Sequence, residues 1–237
     1  MHKLGSYLLV ACTTVAATAQ PAFAQQTLNF SLGYFTVRGE DARVEGDVLT
    51  ENRSLLAFDV DDFNGASVGG EWLVPLGQYF EGGAGVAFSR RTVPSVYHDF
   101  VDNDGSEIEQ DLRLRIVPIS FTIRVLPLGQ SSAIQPYFGA GLGIFSWRYS
   151  ESGEFVDFGT RPPTIFPDRF VASGSETGPV ALGGIRFAGN TLSAGAEVRY
   201  HSADAALGSE FALVADEPRI DLGGWIYQFT IGFRFGG

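Results

Sequence analysis

Glu71, Glu81 and Glu197, with Arg124, Arg186, Arg199 and Arg234, interrupt stretches of alternating apolar residues, where an ionised side chain needs a partner. Gathered in one interior they would form a network of ion pairs, which could fill a narrow bore or line a conducting one. Acid–base or nucleophilic chemistry has less to draw on. Beyond the first turns of sequence the histidines are His98 and His201. His201 and Ser202 are adjacent, so an extended chain points them to opposite faces, whereas a His-x-Ser spacing would share one. His98-Asp99 falls in an acidic stretch, where a solvated surface pair is the plainer reading, and no enzymatic activity is expected. Asp102, Asp104, Gly105 and Asp111 partly match a calcium loop, but Phe100 stands where its first acidic ligand belongs. Asp-Gly is equally the chemistry of a hairpin tip, the preferred reading, so no cofactor or resident metal is expected.

The N-terminus points to export. Lys3 precedes an apolar run, Tyr7 to Ala11, then small residues and Ala22-Phe23-Ala24, a small-x-small cleavage site. Residues 1–24 are therefore expected to be a secretory signal and residues 25–237 one barrel domain. Leu9-Val10-Ala11-Cys12 also fits a lipid-attachment pattern, although the apolar run before Cys12 is very short. Lys3 is the only lysine and Cys12 the only cysteine, so cleavage leaves no thiol chemistry and no disulfide. Losing one cation and no acid takes the net charge from -11 to -12, or 15 Arg against 27 Asp plus Glu. Such acidity argues against a nucleic-acid partner.

The elements that must hold these charges are strands. No segment after residue 24 has the roughly 18 apolar residues of a membrane helix. Residues 225–235 instead place Trp225, Tyr227, Phe229, Ile231, Phe233 and Phe235 on one face of an extended chain, against Gln228, Thr230, Gly232 and Arg234. The same alternation predicts strands near 28–37, 66–76, 79–90, 112–126, 137–145, 178–187 and 192–201. In the fourth the phase changes at Val117-Pro118, which predicts a β-bulge there. Short turns are expected at 75–78, 127–133 and 188–191, and long loops at 38–63, 91–111, 149–177 and 202–221. The loops so drawn take every carboxylate except Glu71, Glu81 and Glu197, which all fall on the inward phase. No acid would face lipid.

Pro136-Tyr-Phe-Gly-Ala-Gly-Leu-Gly143, the Glu197 and Arg199 of Gly195-Ala-Glu-Val-Arg-Tyr200 and the aromatic terminal strand together resemble the small outer-membrane β-barrel family of Gram-negative bacteria, with its OmpA-, OmpX- and OmpW-type members. The resemblance implies an all-β, eight-stranded, antiparallel up-and-down transmembrane barrel with short periplasmic turns and long extracellular loops, located in the outer membrane. Tyr227, Phe229, Ile231, Phe233 and Phe235 would be the strand read by the barrel assembly machinery. Phe235 is followed by Gly236-Gly237, where the family's signal ends at the aromatic itself. No peptidoglycan-binding domain of the OmpA kind is expected. The His-x-Ser of lipid A deacylase barrels and the His-carboxylate site of omptin-like proteases find no clear match. The implied partners are outer-membrane lipid and lipopolysaccharide, whose phosphates divalent cations could bridge to the acidic loops, and the state is monomeric. The expected function is a plugged structural or surface-interaction scaffold with acidic extracellular loops. The alternative is a porin-like, OmpW-like narrow channel for small solutes, which charges in the bore would obstruct.

Overall fold

The computed structural model describes residues 25–102, 104–211 and 217–236. The predicted leader and Asp216 lie outside them. Eight strands close on themselves in the order β1 (Gln26–Val37), β10 (Gly224–Phe235), β7 (Leu192–His201), β6 (Thr164–Ala188), β5 (Ile134–Asp157), β4 (Glu107–Val125), β3 (Phe80–Val101) and β2 (Gly65–Pro75). All eight seams are antiparallel, and the closing one pairs Gln26 with Phe235 and Val37 with Gly224. Closure leaves no edge unpaired around the ring, and only the outer ends of β3 and β6, beyond β2 and β7, have a strand partner on one side alone. Two further short strands, β8 (Asp204–Ala206) and β9 (Arg219–Asp221), pair in the segment between β7 and β10.

The wall is turned inside out relative to a water-soluble protein. Leu32, Leu142 and Phe229 are 64, 68 and 76 % exposed, and on β10 every odd residue from Trp225 to Phe235 faces outward. Tyr34, Tyr227 and Trp225 ring one end of this belt, and Trp72, Tyr79 and Phe80 the other. An apolar band between two aromatic girdles is the exterior of a barrel solvated by lipid tails. In water so large a patch would aggregate.

Two of the expected loops are mostly strand. β3 and β4 run on to a tight tip after Val101, and β5 and β6, at 24 and 25 residues, run on to a tip between Asp157 and Thr164. A tilted strand crosses a bilayer in about 9–11 residues, so more than half of β5 and of β6 projects beyond it. Polar, charged and glycine-containing sequence hid these extensions, because outside lipid the outward face no longer needs apolar residues.

The predicted bulge at Val117-Pro118 is absent. β4 keeps one register with β5 straight through it, Val117 facing Ser146 and Pro118 facing Phe145. The register shift on β4 lies further out, where β3 jumps from Val96 to Val101. What changes at Val117-Pro118 is the solvent. Below it the apolar residues Ile119, Phe121 and Ile123 point out to lipid, and above it Leu112, Leu114 and Ile116 point inward and are buried. The side chains they meet come from the segment between β1 and β2, including α1 (Val48–Asn52) with Val48 and Leu49, and from Ala205, Phe211, Ile220 and Leu222 between β7 and β10. The outer half of the barrel thus has an ordinary hydrophobic core.

Candidate functional site: a filled lumen

Below that core the interior becomes polar. Glu71 comes from β2, Glu81 from β3, Arg124 from β4, Arg186 from β6, and Glu197 with Arg199 from β7, so six inward positions on five strands converge. Arg124, 1 % exposed, is the hub: it pairs with Glu71, lies 3.0 Å from Glu197 Oε2 and 4.0 Å from Glu81 Oε1. Arg199 bridges Glu71 at 3.2 Å and Glu197 at 2.9 Å, and donates to Ser120 Oγ at 3.0 Å. Arg186 pairs with Glu81 at 2.9 Å and donates from Nε to Gln135 Oε1 at 2.9 Å. Three carboxylates thereby balance three guanidinium groups, the condition under which charges persist away from water.

The neutral members of this network escaped the sequence reading. Tyr137 donates its hydroxyl to Glu197 Oε2 at 3.1 Å, and its ring lies 4.8 Å from the Arg124 guanidinium carbon. Gln228 donates to Glu197 Oε1 at 2.8 Å. Phase is the signal that finds them: Phe138 faces lipid, so Tyr137 must face in, and Gln228 lies between lipid-facing Tyr227 and Phe229. Gly83 and Gly85 make the room. A Cβ on Gly83 would stand 2.8 Å from Glu71 Oε1, and one on Gly85 3.1 Å from Glu71 Cβ. Arg234 is the exception among the predicted charges. It sits at the rim beside the 189–191 turn and donates to the Gly189 carbonyl at 2.5 Å, making no ion pair with the cluster among the described residues, although the charges of Glu81 and Arg186 still reach it.

Between the charge cluster and the apolar core remains a void of about 20 Å³, bordered by Glu71, Arg199, Phe145 and His201. That is space for about one water molecule. His201 caps it, its ring between Phe35 at 5.3 Å and Phe145 at 4.8 Å, with Nε2 3.0 Å from the Leu222 carbonyl. So enclosed, it meets neither Ser202 nor a carboxylate in a catalytic arrangement. His98 lies on the exposed outer part of β3.

The mouth is latched by acids that the sequence assigned to solvated loops. Asp47, fully buried, caps α1 by accepting from the Leu49 and Thr50 amides, pairs with Arg43 at 2.6 Å, and accepts from the Asp221 amide at 2.7 Å. Asp221, also fully buried, accepts from Arg38 at 2.8 Å. These bonds tie the β1–β2 segment to the β7–β10 segment across the opening. At the β3–β4 tip Asp104 accepts from the Ser106 amide and hydroxyl, and Gly105 takes a left-handed φ of 86°. Asp111 is four residues further down β4 from Glu107, roughly 13 Å along a strand, so the structure does not bring it to Asp102 and Asp104.

No family model matches the chain, and no curated protein does. Solved structures of similar arrangement include Ail, the attachment invasion locus protein of Yersinia pestis, at 11 % identity over 90 % of this chain and 99 % of that one, TM-score 0.44. Neisserial surface protein A stands at 10 % identity over 89 and 97 %, TM-score 0.44, and the N-terminal barrel domain of Pseudomonas aeruginosa OprF at 11 % over 89 and 97 %, TM-score 0.38. The ring of eight antiparallel strands, the apolar belt between aromatic girdles and the ion-paired interior carry the conclusion by themselves: this chain has the fold of the small outer-membrane β-barrels.

Proposed function

We propose that the protein is an integral outer-membrane scaffold, closed to solutes, whose wall anchors a platform of long hairpins and acidic segments at the cell surface. The observation that carries this reading is the double closure of the bore, by a balanced ion-pair cluster and by the apolar core above it. A narrow solute channel would have to disrupt both, and no catalytic role is proposed for His98 or His201.

Lipopolysaccharide is the proposed lipid partner. Arg90, Arg115 and Arg148 face outward on three neighbouring strands at directly paired positions, just above the apolar belt. Like charges directly opposite one another destabilise a sheet. Phosphate groups at the lipid surface, lying between the guanidinium groups, would turn that repulsion into attraction. The barrel assembly machinery is proposed to read Tyr227, Phe229, Ile231, Phe233 and Phe235, and the folded state is proposed to be a monomer.

Fractionation of the native host with surface proteolysis tests the placement. The protein should stay in the outer-membrane fraction until detergent is added, and protease on intact cells should cut the β5–β6 tip near Phe158. Recovery from the soluble periplasmic fraction would overturn the reading.

A further inference from the structure

On the outer end of the molecule, apart from the lumen, lies a cavity of about 680 Å³. That is the size of a small-ligand site and many times the lumen void. Phe155, Phe166, Phe170 and Phe211 form much of its wall, Phe155 and Phe170 meeting edge to face at 4.8 Å. Phe158, 47 % exposed, stands at the entrance against Phe100 at 5.1 Å. A space walled by aromatic rings favours a cation that can lie over a ring face.

The polar groups in the wall have the same preference. Glu151, Asp157 and Glu210 line the cavity, with no lysine, arginine or histidine among the lining residues. Glu151 is buried, its Oε1 accepting from Asn52 at 2.7 Å and from the Tyr149 hydroxyl at 2.9 Å, and it makes no ion pair among the described residues. A buried carboxylate without a cation is costly, unlike the lumen glutamates, each of which has an arginine. Gln110 is 4 % exposed. Its Nε2 donates to the Glu154 carbonyl at 2.9 Å and to Tyr97 at 3.1 Å, leaving Oε1 buried with no partner. The amide cannot be turned over, because a carbonyl only accepts and Glu154 therefore requires the NH2 group. Oε1 carries almost no accessible surface, so Gln110 shapes the wall and Glu151 is the buried polar group left for a ligand to meet.

We propose that this cavity is a binding site for a small ligand carrying a primary ammonium group on an aromatic or apolar body. The body occupies the phenylalanine-lined space. The ammonium, with its N–H donors and one positive charge, pairs with the Glu151 carboxylate. A quaternary ammonium would match the charge and the rings but give Glu151 no N–H donor, and a neutral apolar molecule would leave Glu151 without a counter-charge.

The test is titration of the full protein in nanodiscs with 2-phenylethylammonium and with 2-phenylethanol at pH 7, empty nanodiscs subtracting membrane partitioning. Wild type should bind the ammonium saturably and at least tenfold more tightly than the alcohol. Glu151→Gln should abolish most of that preference while keeping the heat-modifiable migration of a folded barrel. Phe158→Ala, at the exposed entrance, should weaken both ligands together. Equal affinity for the two ligands, an unchanged preference in Glu151→Gln, or no saturable signal above empty nanodiscs would overturn the proposal. The wild-type comparison decides even if Glu151→Gln fails to fold.

Discussion

Two glutamates at different heights show how position decides what a carboxylate does. Glu197 has Arg124 and Arg199 within 3.0 Å and sits in the membrane-spanning part of the wall. Glu197→Ala leaves both guanidinium groups short of a counter-charge and should destabilise the barrel by about 3 to 5 kcal/mol, the range for breaking a buried pair. The urea midpoint of refolded protein in lipid reads this, and an unchanged midpoint would mean that the cluster is solvated. Glu151 lies outside lipid with no cation, and burial raises its pKa above the ordinary carboxylate value. Its ionisation therefore costs stability as pH rises through the window from the unfolded to the folded pKa. A bound ammonium would remove that cost. Around it Tyr97, Tyr149, Asp157 and Glu210 are the other titratable groups, and none is cationic. The affinity for 2-phenylethylammonium should accordingly fall on acidification at a pH above the usual carboxylate range, as Glu151 takes up its proton. A pH-independent affinity between pH 4 and 8 would contradict this assignment.

At the scale of the element, β10 shows why the wall was legible in the sequence. Wherever a strand faces lipid on one side and the lumen on the other, alternation is enforced, and it marks the wall strands in the sequence, least clearly at 178–187, where only Ile185 and Phe187 set Arg186 inward. β10 also makes the seam with β1, pairing Phe235 with Gln26. Phe235→Asp should lower the amount of folded protein in the outer membrane, through a weakened assembly strand and a cost of up to about 1 kcal/mol for a charge at this interfacial depth. Normal levels of heat-modifiable protein would count against that role. What the sequence concealed follows the same logic in reverse. Beyond lipid the constraint lapses, so the outer halves of β5 and β6 read as a loop. The inversion at Val117-Pro118 read as a bulge because alternation reports which side is apolar and cannot tell lipid from core. Asp47 and Asp221 read as surface acids, since their burial depends on Arg43 and Arg38, partners supplied only by tertiary contact.

For the whole molecule, one tube meets three solvents, and each sets a different rule for the same chain. Lipid demands an apolar exterior, the confined mid-lumen demands balanced charge, and the water outside allows long acidic hairpins held by a conventional core. The tight lumen and the latched mouth support the proposed reading of a wall-anchored platform closed to solutes. Planar-bilayer recording of the refolded protein measures this directly. Wild type should give no single-channel steps at neutral pH under moderate voltage, in preparations where a known porin conducts. Reproducible unitary currents from wild type would show an open path through the ion-pair cluster and would contradict the closed-scaffold account.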